Sequence, residues 1–282
     1  MARIAKLLLG YDGSTGADAM LDDLQRAGLP EALEALVLVV NEEEGLAAGA
    51  ARRLAATFPR WTVRAEHRTG SPARVLMDVA DAWEPDLLVV GSHGRSLAGR
   101  LLLGSVSHKL VVEARCSVRV ARPARRPEDG HRRLVVGTDG SPNALAAVDM
   151  VASRHWPPGS EVRVVHAIWR DPEPGETDVE WHEHVALAAA ERAAWREQHG
   201  RALAEAACAP LRAAGLETSL VVRAESPRRL LVEEADAWQA DSIFVGATGL
   251  RPFDQFLLGN VATGVVMKAG CSVEVVRARA TS

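Results

Sequence analysis

The amino-acid sequence predicts an α/β protein made of two tandem copies of one doubly wound domain, in which helices cover both faces of a parallel sheet. Two observations carry this prediction. Short apolar runs alternate with helical segments along the chain, and a large part of the first half recurs in the second. Strands that alternate with helices are typical of parallel sheets, because each crossover between parallel strands carries a helix.

The repeat is visible in two pairs of matching segments. KLLLGYDGS at 6–14 matches RLVVGTDGS at 133–141, and the stretch 71–94 matches 226–249 through ADAW and both of its glycines. The first pair is offset by 127 residues and the second by 155, so the second copy contains 28 further residues. A register shared over this length identifies two copies of one domain.

The domain bounds follow from the repeat and from local composition. We expect a first domain (the first half) at 1–122, a linker rich in proline and charge at 123–131, and a second domain (the second half) at 132–282. The extra residues fall near 169–185 and predict a longer helical insertion. With 282 residues, 48% of them apolar, the chain is long enough for two domains of ordinary size.

The strands of the first half are read from short runs of Leu and Val, which are typical of strands buried on both faces of a parallel sheet. These runs lie at 6–10, 36–40, 87–91 and 117–121. The best-marked helix begins after Ser71, the expected N-cap, with Pro72 in the first helical position. Its apolar face is formed by Val75, Leu76, Val79, Ala80 and Trp83.

Charge and cysteine content exclude several classes of partner. The formal net charge is −4, without the basic bias of nucleic-acid binding proteins, so we expect no nucleic-acid partner. No run approaches the roughly 20 apolar residues of a membrane span, and the first apolar run is too short for a signal peptide. Cys116, Cys208 and Cys271 lie far apart without metal-ligand spacing, which favours a reducing compartment and predicts a cytoplasmic protein with no protein-built metal site.

The loop after the fourth strand is the main functional signal. GSHGRSLAGRLLLGSV at 91–106 places glycines at 91, 94 and 104, and Ser105 begins the next helix. In a doubly wound sheet this is the edge where ligands bind. A helix N-terminus attracts anions, and glycines let backbone amides approach them closely. With the hydroxyls of Ser105 and Ser107, the loop predicts a polyphosphate site, whereas an isolated Gly-x2-Gly would mark only a chain reversal.

The spacing Gly-x2-Gly-x9-Gly-Ser, the DGS after the first strand and the CSVRV of the last strand together resemble the universal stress protein family in its tandem form. The resemblance covers nearly the whole chain. It implies the strand order 3-2-1-4-5 in each five-stranded sheet and ATP, with or without Mg²⁺, as the ligand. It further implies that the halves dock through their last strands, at 117–121 and 272–276, as an intrachain pseudo-dimer, and that a homodimer can form.

Carried over by position, the resemblance assigns nine residues of the first half to the nucleotide site, and Ser107 adds its hydroxyl. Asp12 is expected on the ribose or metal side, and Val40 against adenine. The phosphates are expected on Gly91, Gly94, Gly104, Ser105 and Val106, with Ser92 and His93 nearby. Asp12 has a second interpretation, since DGS is also good turn chemistry and its carboxylate can close an Asx-turn.

The second half keeps this pattern in part. Its candidate site residues are Asp139, Ala167, Gly246, Gly249, Gly259, Asn260 and Val261. By position, Asn260 replaces Ser105, Ala262 replaces Ser107 and Gln255 replaces Arg100, so two hydroxyls and one positive charge are lost. Charge-assisted hydrogen bonds contribute about 1.5–3 kcal/mol each, so we expect the second site to bind ATP about tenfold more weakly or worse.

These features predict a nucleotide-responsive stress regulator or sensor rather than an enzyme. No nucleophile–base constellation stands out, and ATP hydrolysis is expected to be slow at most. Two alternatives stay open. An adenylating enzyme of the related adenine nucleotide α-hydrolase type would need an SGGxDS-like loop after the first strand, where this chain has YDGSTG and TDGSPN. A partner-binding stress protein with vestigial nucleotide sites would function unchanged when ATP binding is abolished.

Overall fold

Both halves follow one order of alternating strands and helices. The computed structural model describes residues 4–94, 103–168, 179–249 and 258–278, with the backbone alone for Glu44 and residues 179–189. In the first half the strands are β1 (Lys6–Tyr11), β2 (Glu34–Val40), β3 (Thr62–Arg68), β4 (Leu87–Gly91) and β5 (Ser117–Ala121). Its helices are α1 (Thr15–Asp23), followed by a 3-10 turn at Leu24–Arg26, α2 (Glu44–Thr57), α3 (Pro72–Trp83) and α4 (Ser105–Glu113).

The second half repeats these elements. Its strands are β6 (Arg133–Gly137), β7 (Glu161–Ala167), β8 (Glu217–Arg223), β9 (Ser242–Gly246) and β10 (Ser272–Val276). Its helices are α5 (Pro142–Ala152), α6 (Val179–Ala213), α7 (Pro227–Ala237) and α8 (Asn260–Lys268). Helix α6 has 35 residues where its counterpart α2 has 14. The insertion expected near 169–185 lies partly outside the described residues, and its described part is the start of α6.

Each half contains a parallel sheet with the strand order 3-2-1-4-5, which confirms the expected topology. The order is β3-β2-β1-β4-β5 in the first half and β8-β7-β6-β9-β10 in the second. The chain reverses direction across the sheet between β1 and β4, because β2 lies on one side of β1 and β4 on the other. Ligand sites in doubly wound sheets form beyond the carboxyl ends of the strands at this point of reversal.

The two sheets join into one sheet of ten strands through an antiparallel pair of β5 with β10. Val120 pairs with Val273, and Arg119 pairs with Glu274. The last strands therefore dock, as expected for an intrachain pseudo-dimer. Because this junction is antiparallel while each half is parallel, the carboxyl ends of the two sets of strands lie at opposite edges of the sheet.

The core consists of two apolar layers, one on each face of the sheet. On β1, Leu7 and Leu9 face the layer under α1 and α2, whereas Leu8 faces the layer under α3 and α4. All three are fully buried, which explains why central strands read as continuous apolar runs. In the second half α5 and α6 cover the first layer, and α7 and α8 cover the other. Among the described helices, none combines the length and apolar character needed to cross a bilayer.

The best-marked helix of the sequence is α3, and it begins where expected. Ser71 is its N-cap and Pro72 its first residue, although the Ser71 side chain makes no capping hydrogen bond. Leu76 and Val79 are buried on the face toward the sheet. This helix places its N-terminus at the same edge of the sheet as the loop after β4.

Candidate functional site

A cleft of about 270 Å³ lies at the carboxyl edge of the first half, where the strand order reverses. It is bordered by the ends of β1, β2 and β4 and by the first turns of α3 and α4. Nine of the ten predicted residues line it: Asp12, Val40, Gly91, His93, Gly94, Gly104, Ser105, Val106 and Ser107. The tenth, Ser92, is buried directly behind the loop. Residues 95–102, which include Arg95 and Arg100, lie outside the described residues.

Asp12 is held by a turn and still faces the cleft. Its Oδ1 accepts a hydrogen bond from the Ser14 backbone amide at 3.0 Å, which is the Asx-turn of the second interpretation. Its other oxygen, Oδ2, lies toward Gly94, where an added Cβ would stand 2.8 Å from it. The two interpretations are therefore compatible, because one oxygen closes the turn and the other lines the cleft.

Two of the three loop glycines are explained by packing within the protein. A Cβ on Gly91 would lie 2.9 Å from the carbonyl oxygen of Gly16, so β4 can approach the start of α1 only without a side chain there. A Cβ on Gly94 would crowd the Asp12 carboxylate. These two positions would favour glycine even in a protein that bound nothing.

Gly104 is different, because the protein itself does not require a glycine there. Its φ of −63° and ψ of 148° are open to any residue. An added Cβ would find its nearest neighbour, the Ser92 carbonyl oxygen, at 3.5 Å, an ordinary contact distance. The next is the Gly94 amide nitrogen at 3.8 Å. The bare position at the mouth of α4 therefore remains available to a ligand.

The first turn of α4 borders the cleft without a side-chain cap. Gly104 is its N-cap and has no side-chain oxygen to accept from the first-turn amides, whereas the Ser14 hydroxyl caps α1 by accepting from the Ala17 amide at 3.1 Å. A helix start left uncapped keeps its amide donors and its partial positive charge available to an anion. Ser105 is exposed here and also lines the cleft, so its hydroxyl can join these amides.

The Ser107 hydroxyl has a structural partner. It donates a 2.6 Å hydrogen bond to the carbonyl oxygen of Gly91, which ties the first turn of α4 to the end of β4. The sequence suggested Ser107 as a further hydroxyl for phosphate. In the structure its proton is already engaged, and its effect on the cleft is to position α4.

His93 carries a buried nitrogen on the cleft wall. Its Nδ1 lies 2.8 Å from the Ser92 hydroxyl, and its Nε2 is buried without a hydrogen-bond partner among the described residues. Burial, and after it the positive charge of Arg122, lowers the pKa of His93 below its usual value. The ring is therefore neutral at pH 7, and its Nε2 is the kind of orphaned polar atom that a bound ligand can satisfy.

The far end of the cleft is apolar, and next to it lies Asn41, which the sequence did not single out. Leu38, Val40 and Leu76 form the apolar wall. Asn41, at a φ of 64°, follows β2 and exchanges two hydrogen bonds with Gly70: its Nδ2 donates to the carbonyl at 2.6 Å and its Oδ1 accepts from the amide at 2.8 Å. The sequence signal that could have identified Asn41 was its position directly after the end of β2, at the edge where ligands bind.

Tyr11 is a second lining residue that the sequence did not indicate. Its hydroxyl donates to Asp18 at 2.8 Å, and Asp18 also pairs with Arg53 at 2.9 Å. Burial and the hydrogen bond to Asp18 raise the pKa of Tyr11 to about 12. The phenol therefore stays protonated and serves as a wall of the cleft.

The second half repeats the backbone frame of this site. Asp139 Oδ1 accepts from the Ser141 amide at 2.9 Å, and a Cβ on Gly249 would stand 2.6 Å from Asp139 Oδ2. A Cβ on Gly246 would collide with the backbone of α5, as at Gly91. Gly259 is the N-cap residue of α8 and makes no side-chain capping hydrogen bond. The helix begins with Asn260 and Val261.

The side chains of the second half differ at the same place. Asn143 Nδ2 donates to the Thr248 hydroxyl at 2.6 Å, joining the start of α5 to the loop after β9. These two residues replace Gly16 and His93 of the first half. Ala167 ends β7, where Val40 ends β2. The remaining predicted differences, at residues 250–257, lie outside the described part of the chain.

Comparison of this sequence with known proteins gives a match to one family model and to several relatives. The model of the Universal stress protein family matches residues 27–122 and 130–277. A universal stress protein of Mycobacterium tuberculosis is 31% identical over 238 residues, covering 82% of this chain and 72% of that protein. One of Mycolicibacterium smegmatis is 31% identical over 231 residues, covering 77% and 70%.

Solved structures share the fold at lower sequence identity. A universal stress protein from Archaeoglobus fulgidus aligns with a TM-score of 0.64 at 17% identity, over 96% of this chain and 98% of that one. A functionally unknown protein from Pseudomonas aeruginosa gives a TM-score of 0.67 at 17% identity, over 98% and 93%. Both matches extend over the two halves together.

Proposed function

Because this chain belongs to the universal stress protein family, we propose that its first half binds ATP in the cleft at the point of strand reversal. We further propose that the protein acts as a nucleotide-responsive stress regulator and not as an enzyme. The observation that carries this proposal is the uncapped start of α4 behind Gly104, which offers amide donors at a position that the fold leaves bare.

Different parts of the cleft suit the phosphates, the ribose and the base of a nucleotide. The amides of the first turn of α4, the Ser105 hydroxyl and the Gly94 amide supply donors for phosphate oxygens. Asp12 Oδ2 lies on the same wall and can accept from ribose hydroxyls. Val40 and Leu76 offer an apolar surface for the base. His93 lines the same cleft and adds one further polar side chain.

Mg²⁺ fits this proposal as a companion of the phosphates. Among the described residues, no group of three or more His, Cys, Asp or Glu could hold a metal ion by itself. Asp12 places a carboxylate oxygen beside Gly94, and Mg²⁺ commonly binds through one carboxylate together with substrate phosphates. The ion would then arrive with the ligand.

The surroundings of His93 argue against catalysis in this cleft. Its Nδ1 is engaged with Ser92, and no carboxylate orients the ring among the described residues. A general base normally needs such an orienting partner and a positioned nucleophile. We therefore propose that ATP hydrolysis in this cleft is slow at most. The three cysteines are unpaired, which supports a reducing compartment, and we propose the cytoplasm.

We propose that the second half binds ATP more weakly. It keeps Asp139 and the glycines, but its loop after β9 is joined to α5 by the Asn143–Thr248 side-chain hydrogen bond, whereas in the first half Gly16 packs directly on the His93 carbonyl. Ala262 also lacks the hydroxyl by which Ser107 ties α4 to β4. A less fixed helix start makes a weaker anion site.

The test is calorimetric titration of the nucleotide-stripped chain with ATP, ADP and AMP. We expect one strong site for ATP and one at least about tenfold weaker. Binding to the folded state alone should also raise the unfolding free energy by about 2.7 kcal/mol when free ATP is one hundred times its Kd. Absence of both heat and thermal shift at millimolar ATP would refute the proposal. Release of pyrophosphate with an acceptor present would instead favour an adenylating enzyme.

A further inference from the structure

The strand pair at the centre of the sheet carries two buried and oppositely charged side chains at the same position of the repeat. Arg119 of β5 and Glu274 of β10 are register partners, and both are 0% exposed. They are 155 residues apart, which is the repeat offset of this region. The pseudo-twofold axis that relates the halves therefore passes between them. In a pair of identical strands with this register, each of these residues would face its own copy.

Each of the two charges is balanced from within its own half. Asp23, at the end of α1, accepts from Arg119 at 2.7 and 3.1 Å. Arg154, just after α5, donates to Glu274. Both supporting charges are absent from the repeat position in the other half, where Asp23 becomes Met150 and Arg154 becomes Ala27. In the first half a cation, Arg119, thus lies at the axis with the Asp23 carboxylate behind it. In the second half an anion, Glu274, lies at the axis with the Arg154 guanidinium behind it.

The two arginines of this arrangement, Arg119 and Arg154, also make contacts with the opposite half. Arg119 Nη1 lies 3.4 Å from Glu274 Oε2, and its Nη2 donates to the Ser242 hydroxyl at 2.9 Å. Arg154 Nη1 donates to the Ala27 carbonyl across the junction at 2.7 Å. These contacts are buried, and buried charges are little screened by salt.

We propose that this reversed charge order makes the two last strands select each other, so that a first half docks on a second half and not on another first half. Two first halves paired through β5 would bring two Arg119 guanidinium groups together at the axis. Two second halves paired through β10 would bring two Glu274 carboxylates together. Like charges facing each other in a buried interface select against the wrong partner. The buried pair thus acts on the choice of partner, whereas buried ion pairs are weak evidence for added stability.

The test separates the two halves and lets them pair again while both are present. A protease site inserted after the exposed Gly130 allows the folded full-length chain to be cut between β5 and β6. The cut protein is unfolded in urea, refolded at micromolar concentration and analysed by native mass spectrometry. We expect complexes of one first-half and one second-half fragment in at least about tenfold excess over pairs of identical fragments. A statistical mixture would overturn the proposal.

Two variants assign the preference to the axis charges. Arg119→Met with Glu274→Met should lower the excess of mixed pairs, and adding Asp23→Asn and Arg154→Met should lower it further. Pairing that stays as selective in both variants as in the parent chain overturns the proposal. The result should not change between low and high salt.

The matched control is Arg122→Met with Arg277→Met. These arginines also cross the junction, but they are equivalent in the repeat: Arg122 donates to the Val266 carbonyl at 2.6 Å and Arg277 to the Val111 carbonyl at 2.8 Å. Their loss weakens docking without changing which halves pair.

Should the cut chain fail to refold, the uncut chain provides a second measurement. A double-mutant cycle of Arg119→Met and Glu274→Met, read by urea unfolding, should give a favourable coupling between the two residues, and zero coupling would contradict the proposal.

Discussion

Replacing Gly104 with alanine separates what the fold requires of this glycine from what a ligand requires. The backbone conformation accepts alanine, and the new methyl would have its nearest neighbours at 3.5 and 3.8 Å. Alanine loses about 0.5–1 kcal/mol as an N-cap relative to glycine, and it gains about 0.4–1 kcal/mol by restricting the unfolded chain. The two effects nearly cancel, so the melting temperature without ligand should change by no more than about 4 °C.

The expected effect on ATP binding is much larger. The methyl would stand 3.8 Å from the Gly94 amide nitrogen, at the N-cap of α4, where we place the phosphates. Loss of one charge-assisted hydrogen bond to a phosphate oxygen costs about 1.5–3 kcal/mol. The Kd for ATP should therefore rise by about 10- to 100-fold.

Calorimetric titration and thermal unfolding of the same samples provide the two readouts. Gly259→Ala is the matched control, because it changes the N-cap of α8 and should leave the strong site intact. An unchanged Kd for Gly104→Ala would refute the assignment of α4 as the phosphate site. A large fall in melting temperature without ligand would show that the fold, and not a ligand, demands the glycine.

Three further results are expected. Gly91→Ala should lower stability by about 1–3 kcal/mol in thermal unfolding, because its Cβ would meet the Gly16 carbonyl at 2.9 Å, and an unaltered melting temperature would contradict this. Ser107→Ala should destabilise the fold by about 1–3 kcal/mol by leaving the Gly91 carbonyl without its donor, whereas the exposed Ser105→Ala should only weaken ATP binding. Because the pKa of His93 is lowered from 6.5 in the folded state, the unfolded chain binds more protons below that pH. The unfolding free energy should then fall as pH drops through 6.5, and urea titrations should find a shallower fall in His93→Gln.

The sequence predicted the central strands well and the outer strands poorly, for one physical reason. The apolar runs at 6–10 and 87–91 became β1 and β4 because both faces of these strands are buried. Strand β3, Thr62–Arg68, carries charged residues and lies at the free edge of the sheet, where one side meets solvent. A polar edge strand has no continuous apolar run, and its existence was implied only by the family resemblance.

The candidate site was predictable to the extent that it is built from contiguous segments. The loop at 91–94 and the helix start at 104–107 lie side by side because one follows a strand and the other begins the next helix. Contacts between distant segments were not visible. The exchange of hydrogen bonds between Asn41 and Gly70 and the close approach of Gly91 to Gly16 depend on tertiary packing.

The antiparallel junction of β5 and β10 has a consequence for any protein that reads the state of this molecule. The two candidate sites open at opposite edges of the sheet, separated by the length of the strands, roughly 20 Å, and by about four inter-strand spacings along the sheet. A protein that bound over the opening of one site would cover about 800 Å² of surface and would not contact the other site. On the proposed function, a nucleotide bound in the first half and one bound in the second half would therefore be presented on different edges of the sheet.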